Sequence, residues 1–461
     1  MTSIRFDYTN VLASALGSEH GITDGELTGI AEASEAALAR VVARRTRDLR
    51  WLDLPYGDVE DILAYGSSVA GKFKNVVVCG IGGSALGITA LQTALNSPYY
   101  DLDPPAGMPR LFVLDNIDPD WIGEFLAHVD PRETLFNVIS KSGGTAETMA
   151  QFLIVREKLI AAVGQAAHVE HLVVTTDAEQ GVLREIVTRE GYRSFVVPDG
   201  VGGRFSVLSP VGLVASALVG IDVRGLLKGA AAMDERCKAA PFAENPALIH
   251  AACQFLLHTK NDKPMAVMFA YSHRLRDLAD WYAQLLAESI GKRHDRAGNE
   301  VFRGPTPIRA VGVTDQHSQV QLYVEGPHDK WFTFLAVEES DHTVAIPAAY
   351  DDLEGVRYLG ERTLNELFRA ERDGTRIALT EAQRPNATIT LTKVDAHAIG
   401  QLMFLLELSV AVLGEHYDVD AFDQPGVEAG KVAAYALMGR AGFEARRAEI
   451  EASTHTEPRI V

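Results

Sequence analysis

Residues 75–84 read NVVVCGIGGS, a β-branched run that closes on three glycines and a serine. Later, FNVISKSGGTAETM (136–149) repeats the arrangement. An apolar run with no polar alternation suits a strand covered on both faces, as in a parallel sheet with helices on either side. In such sheets ligands rest beyond the carboxyl ends of the strands, where loops meet helix N-termini. Glycine there lets the backbone approach a ligand closely. The exposed N–H groups and the helix dipole favour an anion. GIGGS and SKSGGT are therefore expected to hold an anion, most simply a phosphate.

Two rival readings stand beside this one. The loops could serve only tight strand–helix packing, which is an adequate account of one such loop but a strained account of two. Gly80-x-Gly82-x-x-Ala85 also fits a dinucleotide fingerprint, with Asp115 ending the next strand. Asp115 lies about 30 residues past the glycines, where about 20 is usual. The second loop carries Ser140, Lys141, Ser142, Thr145 and Thr148, has no role in a dinucleotide scheme, and lacks the GK[ST] of a Walker A loop.

Outward from these loops the alternation continues. Strands are expected at 75–81, 110–116, 135–142, 171–176 and 193–198, with helices at 84–97, 118–128, 145–162 and 180–190. A mostly helical stretch, 209–260, follows. The pattern then restarts with strands at 264–270, 308–313, 329–339 and 387–394, and helices at 274–291, 361–373 and 395–414. The last helix is expected at 424–439, followed by a polar tail. The chain thus reads as α/β, with two parallel-sheet units in sequence.

The totals fit a globular protein. Of 461 residues, 47% are hydrophobic and 23% charged, and the net charge is −19. That acidity speaks against a nucleic-acid surface or an anionic membrane as partner. Cys79, Cys237 and Cys253 are too scattered for a disulfide framework or a zinc site, which suits a reducing compartment. No signal sequence is expected in MTSIRFDYTNVLASALGSEH. The apolar stretches 207–221 and 398–414 read as buried helices rather than membrane spans.

Further motifs occur in order: GGRFSVLSPVG (202–212), AESIGK (287–292), TDQHSQVQLYVEG (314–326) and FDQPGVEAGK (422–431). With GIGGS and ISKSGGTAET they resemble the glucose-6-phosphate isomerase family from about residue 75 to 440. The resemblance implies two sugar-isomerase (SIS) domains with flanking helices, each a three-layer αβα sandwich. An N-terminal helical segment is expected over 1–60, the domains over 61–220 and 245–420, and a C-terminal helix and tail over 421–461. It also implies reversible aldose–ketose isomerisation of hexose 6-phosphates through an enediol, with no cofactor and no metal, by a cytoplasmic homodimer.

Residue roles follow from the same resemblance. Glu288 matches the base that moves a proton between C1 and C2, and Gln284, at i−4 on the same helix face, matches a substrate contact. His317 and Lys431 match the ring-opening pair, His317 reaching the sugar from the partner subunit. Arg204 matches the cation that steadies the enediolate. Gly83, Ser84, Ser140, Lys141, Ser142, Thr145 and Thr148 match the phosphate contacts. Glu147 fits the first turn of its helix as a dipole partner. Pro425 stands where many family members carry tryptophan. A sugar-phosphate-binding module would keep the loops but need neither Glu288, His317 nor Lys431. An amidotransferase half would call for an N-terminal nucleophilic cysteine, and position 2 is Thr.

Overall fold

The structure, a computed structural model, describes residues 4–453 and 459–460. Its strands are β1 (Ile4–Asp7), β2 (Asn75–Cys79), β3 (Arg110–Leu114), β4 (Thr134–Ile139), β5 (Leu172–Thr176), β6 (Arg193–Val196), β7 (Met265–Ala270), β8 (Lys292–His294), β9 (Glu300–Arg303), β10 (Thr306–Val311), β11 (Lys330–Val337) and β12 (Asn386–Leu391). One sheet runs β3-β2-β4-β5-β6 and is parallel throughout. A second runs β1-β12-β11-β7-β10, parallel except for β1 at its edge. β8 and β9 form a small antiparallel pair.

β2, β4 and β5 are buried along their whole length, as their unbroken apolar character requires. Connections leave β2 toward β3 on one side and β4 lies on the other, so a crevice opens at their carboxyl ends. Both glycine loops lie there. The first forms a short 3-10 turn, Gly82–Ser84, before the helix Leu86–Leu95. The second leads into the helix Ala146–Val163, whose N-cap is Thr145.

The two sheets share a helical core. The helix Ala396–Tyr417 is long and apolar enough to cross a membrane, but 89% of its apolar window is buried within the protein. It packs on Val223–Ala239, Pro246–Thr259 and Arg276–Ile290. Phe404 on this helix continues through Trp51 and Phe205 to Phe422, with ring centroids 5.8, 5.0 and 5.3 Å apart. This aromatic row backs onto Arg204 and Asp423, the chain neighbours of Phe205 and Phe422.

Two expectations need correction. The N-terminal segment is not wholly helical: Ile4–Asp7 is a strand paired with β12. The tail after the helix Pro425–Leu437 holds a further helix, Glu444–Ser453.

Candidate active site

The helix Arg276–Ile290 carries Gln284 and Glu288 one turn apart, on the edge of its buried face. Gln284 Nε2 donates to Glu288 Oε1 at 3.0 Å, and Arg204 Nη1 donates to Glu288 Oε2 at 3.2 Å. Glu288 keeps 31% of its side chain exposed. Its carboxylate is thus fixed from two sides and open on a third.

Arg204 lies in a 3-10 turn, Gly203–Phe205, and is buried. Each of its five N–H groups has an acceptor. Nε donates to Ser289 Oγ at 2.8 Å. Nη1 donates to Glu288 and, at 3.0 Å, to Gln424 Oε1. Nη2 donates to the carbonyls of Ala421 at 2.6 Å and Asp423 at 3.0 Å. Burial lowers its pKa, and the Glu288 carboxylate opposes that shift. Arg204 therefore presents a fixed positive charge rather than free donors.

The glycine loops converge on this centre. A Cβ on Gly83 would lie 2.3 Å from the Gly203 carbonyl oxygen, so only glycine allows this approach beside Arg204. Gly143 has φ +61°, and a Cβ there would lie 2.5 Å from the Leu183 nitrogen. Ser140 Oγ accepts from Gly143 N at 3.1 Å and lies 3.2 Å from Thr145 Oγ1, which sets the curve of the second loop. Ser142 Oγ accepts from Gly144 N at 3.3 Å. Lys141 Nζ donates to the Val201 carbonyl at 3.1 Å and ties this loop to the turn before Arg204. Thr148 Oγ1 and Gln284 Oε1 are buried without a hydrogen-bond partner among the described residues. Ser84 ends the first loop, half-buried.

The structure brings Glu288, Gln284, Arg204 and both loops together. It does not bring in the other two expected residues. Lys431, on the helix Pro425–Leu437, is 47% exposed and pairs with Glu428 at 2.8 Å. That helix is tied to the second loop through Tyr435, whose hydroxyl donates to the Gly144 carbonyl at 3.1 Å. Its Pro425 occupies the first turn, where a missing N–H costs nothing. His317 lies in the turn Thr314–His317 after the edge strand β10, exposed, with no hydrogen bond to Glu288, Arg204 or Lys431.

Sequence reasoning passed over Ser289, Gln424 and Lys292. Lys292 Nζ donates to the carbonyls of Glu288 and Asp423, each at 2.7 Å. All three lie inside or beside motifs already singled out, but no spacing rule separates a side chain that grips a neighbour from one that faces solvent. No three His, Cys, Asp or Glu side chains converge as a metal would require, among the described residues.

Comparison with known proteins gives the family of the chain. The family model described as phosphoglucose isomerase matches residues 63–457. The chain is 46% identical to a protein of Carboxydothermus hydrogenoformans named glucose-6-phosphate isomerase, over 100% of this chain and 99% of that one. It is 44% identical to a protein of the same name from Rubrobacter xylanophilus, over 96% and 100%. Among solved structures, a hypothetical protein of Thermus thermophilus superposes with a TM-score of 0.84 at 39% identity, covering 95% of this chain and 100% of the other. A glucose-6-phosphate isomerase from Chlamydia trachomatis shares the fold with a TM-score of 0.80 at 22% identity, covering 95% and 89%.

Proposed function

The chain belongs to the phosphoglucose isomerase family, and on that premise we infer that it interconverts glucose 6-phosphate and fructose 6-phosphate, with Glu288 as the base. The observation that carries the assignment is the hydrogen-bonded row Gln284–Glu288–Arg204 beside two glycine loops. A row of this kind aims a carboxylate at a sugar whose phosphate the loops hold.

The substrate's phosphate takes the loop N–H groups and the hydroxyls of Ser84, Ser140, Ser142, Thr145 and Thr148, with Lys141 adding charge. Gly83 lets the first loop pack against the Gly203 carbonyl, which keeps the loop beside Arg204. Ring opening moves a proton from the anomeric hydroxyl and delivers one to the ring oxygen as the C–O bond breaks. Lys431 and the partner subunit's His317 form the acid–base pair for this step. Glu288 then removes the proton from C1 of the open ketose while the C2 carbonyl oxygen gains one, giving the enediol. Return of the proton to C2, with loss of the hydroxyl proton at C1, yields the aldose. Arg204 lowers the energy of the negative charge that builds on the oxygens. Each acid–base step of this kind is worth about 10²–10⁴-fold.

The domain limits, 61–220 and 245–420, and the homodimer and cytoplasmic setting belong to the same reading. Support for a dimer comes from the surface beside His317. A groove lined by Val313, Val344, Leu364, Leu367 and Phe368 runs next to its turn. Tyr350, Leu353 and Tyr358, in the segment after β11, are also exposed. Exposed apolar side chains beside this turn are the kind of surface a second chain would cover.

The test is turnover of fructose 6-phosphate, followed as glucose 6-phosphate through a coupled dehydrogenase. Glu288→Gln keeps the shape and removes the base, and is expected to lose at least about 10³-fold in kcat. Retained turnover would overturn the assignment of Glu288. No turnover by the unaltered protein, with fructose 6-phosphate still bound, would favour a sugar-phosphate-binding module.

A further inference from the structure

We propose that Lys292 is a positioning residue for the proton transfer: its ammonium ties the carboxyl end of the Glu288 helix to Asp423, and so fixes Glu288, Arg204 and Gln424 relative to one another. The proposal rests on Glu288 being the base.

Lys292 is the first residue of β8, just past the helix Arg276–Ile290, and its side chain is 4% exposed. An ammonium has three hydrogens to donate. Here two go to carbonyls, of Glu288 at 2.7 Å and of Asp423 at 2.7 Å, and the Asp423 carboxylate stands beside the ammonium as its ion-pair partner, with Oδ1 at 3.1 Å. Arg204 donates to the same Asp423 carbonyl at 3.0 Å. Two buried cations thus meet on one carbonyl oxygen. Asp423 leads directly into Gln424, whose side chain takes one hydrogen of Arg204 Nη1, while Glu288 takes the other.

Stability is a poor reason for this arrangement. Desolvation pulls the Lys292 pKa down, and the nearby Arg204 charge adds to that, with Asp423 opposing both. Removing one partner of an ion pair is costly where it strands a buried charge, but the Asp423 side chain is half-exposed and would keep its water beside an apolar residue 292. What a methionine could not do is hold residues 421–424 against the helix end. Without that grip, the segment's backbone is held by Arg204 Nη2 alone, through the Ala421 and Asp423 carbonyls, and the row Gln424–Arg204–Glu288 is tied to the helix end at one point fewer. Small displacements of that row are costly in rate because proton transfer needs a short, aligned approach.

The test uses Lys292→Met, Asp423→Asn and the double variant in the full-length protein, with fructose 6-phosphate as substrate. Lys292→Met is expected to lower kcat at least about tenfold while KM moves less than about threefold, and to leave the melting temperature unchanged or higher. Asp423→Asn is expected to lower kcat less. The double variant should be no worse than Lys292→Met alone, because both act through one contact. A folded Lys292→Met with kcat within twofold of the parent would overturn the proposal, as would losses that multiply in the double variant. Should Lys292→Met fail to fold, the half-exposed Asp423 decides: a lower kcat at constant KM supports the proposal, and an unchanged kcat overturns it. Failure of the underlying reading looks different, since Glu288→Gln would then keep its turnover whatever Lys292 does.

Discussion

Arg204 has no donor left for a substrate. Ser289, Glu288, Gln424, Ala421 and Asp423 take all five N–H groups. Its proposed part in the reaction is that of a fixed charge beside Glu288, held in a low-dielectric setting where charge acts strongly. A lysine would keep the charge but not the planar fork. Arg204→Lys is therefore expected to lower kcat about 10²-fold, with steady-state kinetics as the measurement. A variant with near-normal kcat would mean that the fork matters less than the charge. At this scale the sequence told much. Glu288, Gln284 and Arg204 were legible through their motifs, and they meet in space. The saturation of Arg204 was not, because it depends on backbone carbonyls from residues 421 and 423, more than 200 positions away.

The helix Ala396–Tyr417 shows what an element can hide. Its apolar run marks it as buried, and it is. Within it Glu407 is enclosed, and burial raises its pKa well above the usual carboxylate range. On the same helix burial lowers the pKa of His416 to about 4. The two shifts act on stability in opposite directions. Glu407 holds a proton in the folded state that the unfolded chain releases above its ordinary carboxylate pKa, so its share of stability is lost as pH rises. His416 stays neutral where the unfolded chain takes up a proton, so its share is lost as pH falls from about 6.5 toward 4, at up to about 1.4 kcal/mol per pH unit. Glu407→Gln removes the first effect only. The melting temperature of this variant, relative to the parent, is expected to rise from pH 5 to pH 8. A constant difference would show that Glu407 is not held neutral. Element boundaries in the two sheets were legible because buried parallel strands are continuous apolar runs. β1 was not, since four residues acquire their meaning only by pairing with β12. Glu444–Ser453 was missed for a different reason: its apolar positions are three alanines and Ile450 among charged residues, too weak a stripe to read.

At the scale of the whole molecule, the exposed His317 and the proposed base Glu288 belong to one reaction only if two chains share each site. That predicts complementation. His317→Ala and Glu288→Gln should each be inactive as homodimers. Mixed, dissociated and reassociated, they should recover about a quarter of the parent activity, because half the dimers are then mixed and each has one intact site. No recovery, with mixed dimers demonstrated by mass spectrometry, would place His317 outside the partner's site. The groove at Val313, Val344 and Phe368 lies beside the His317 turn, on the face that the proposed dimer would use.

The central claim is that Glu288 carries the proton between C1 and C2. The most direct measurement is isomerisation of fructose 6-phosphate in D2O, with the glucose 6-phosphate read by proton NMR. A carboxylate that holds the proton briefly exchanges part of it with solvent, so deuterium is predicted at C2 of the product from the parent protein and none from Glu288→Gln. Deuterium entering C2 at the same rate in the variant would contradict the account, because some other group would then be moving the proton.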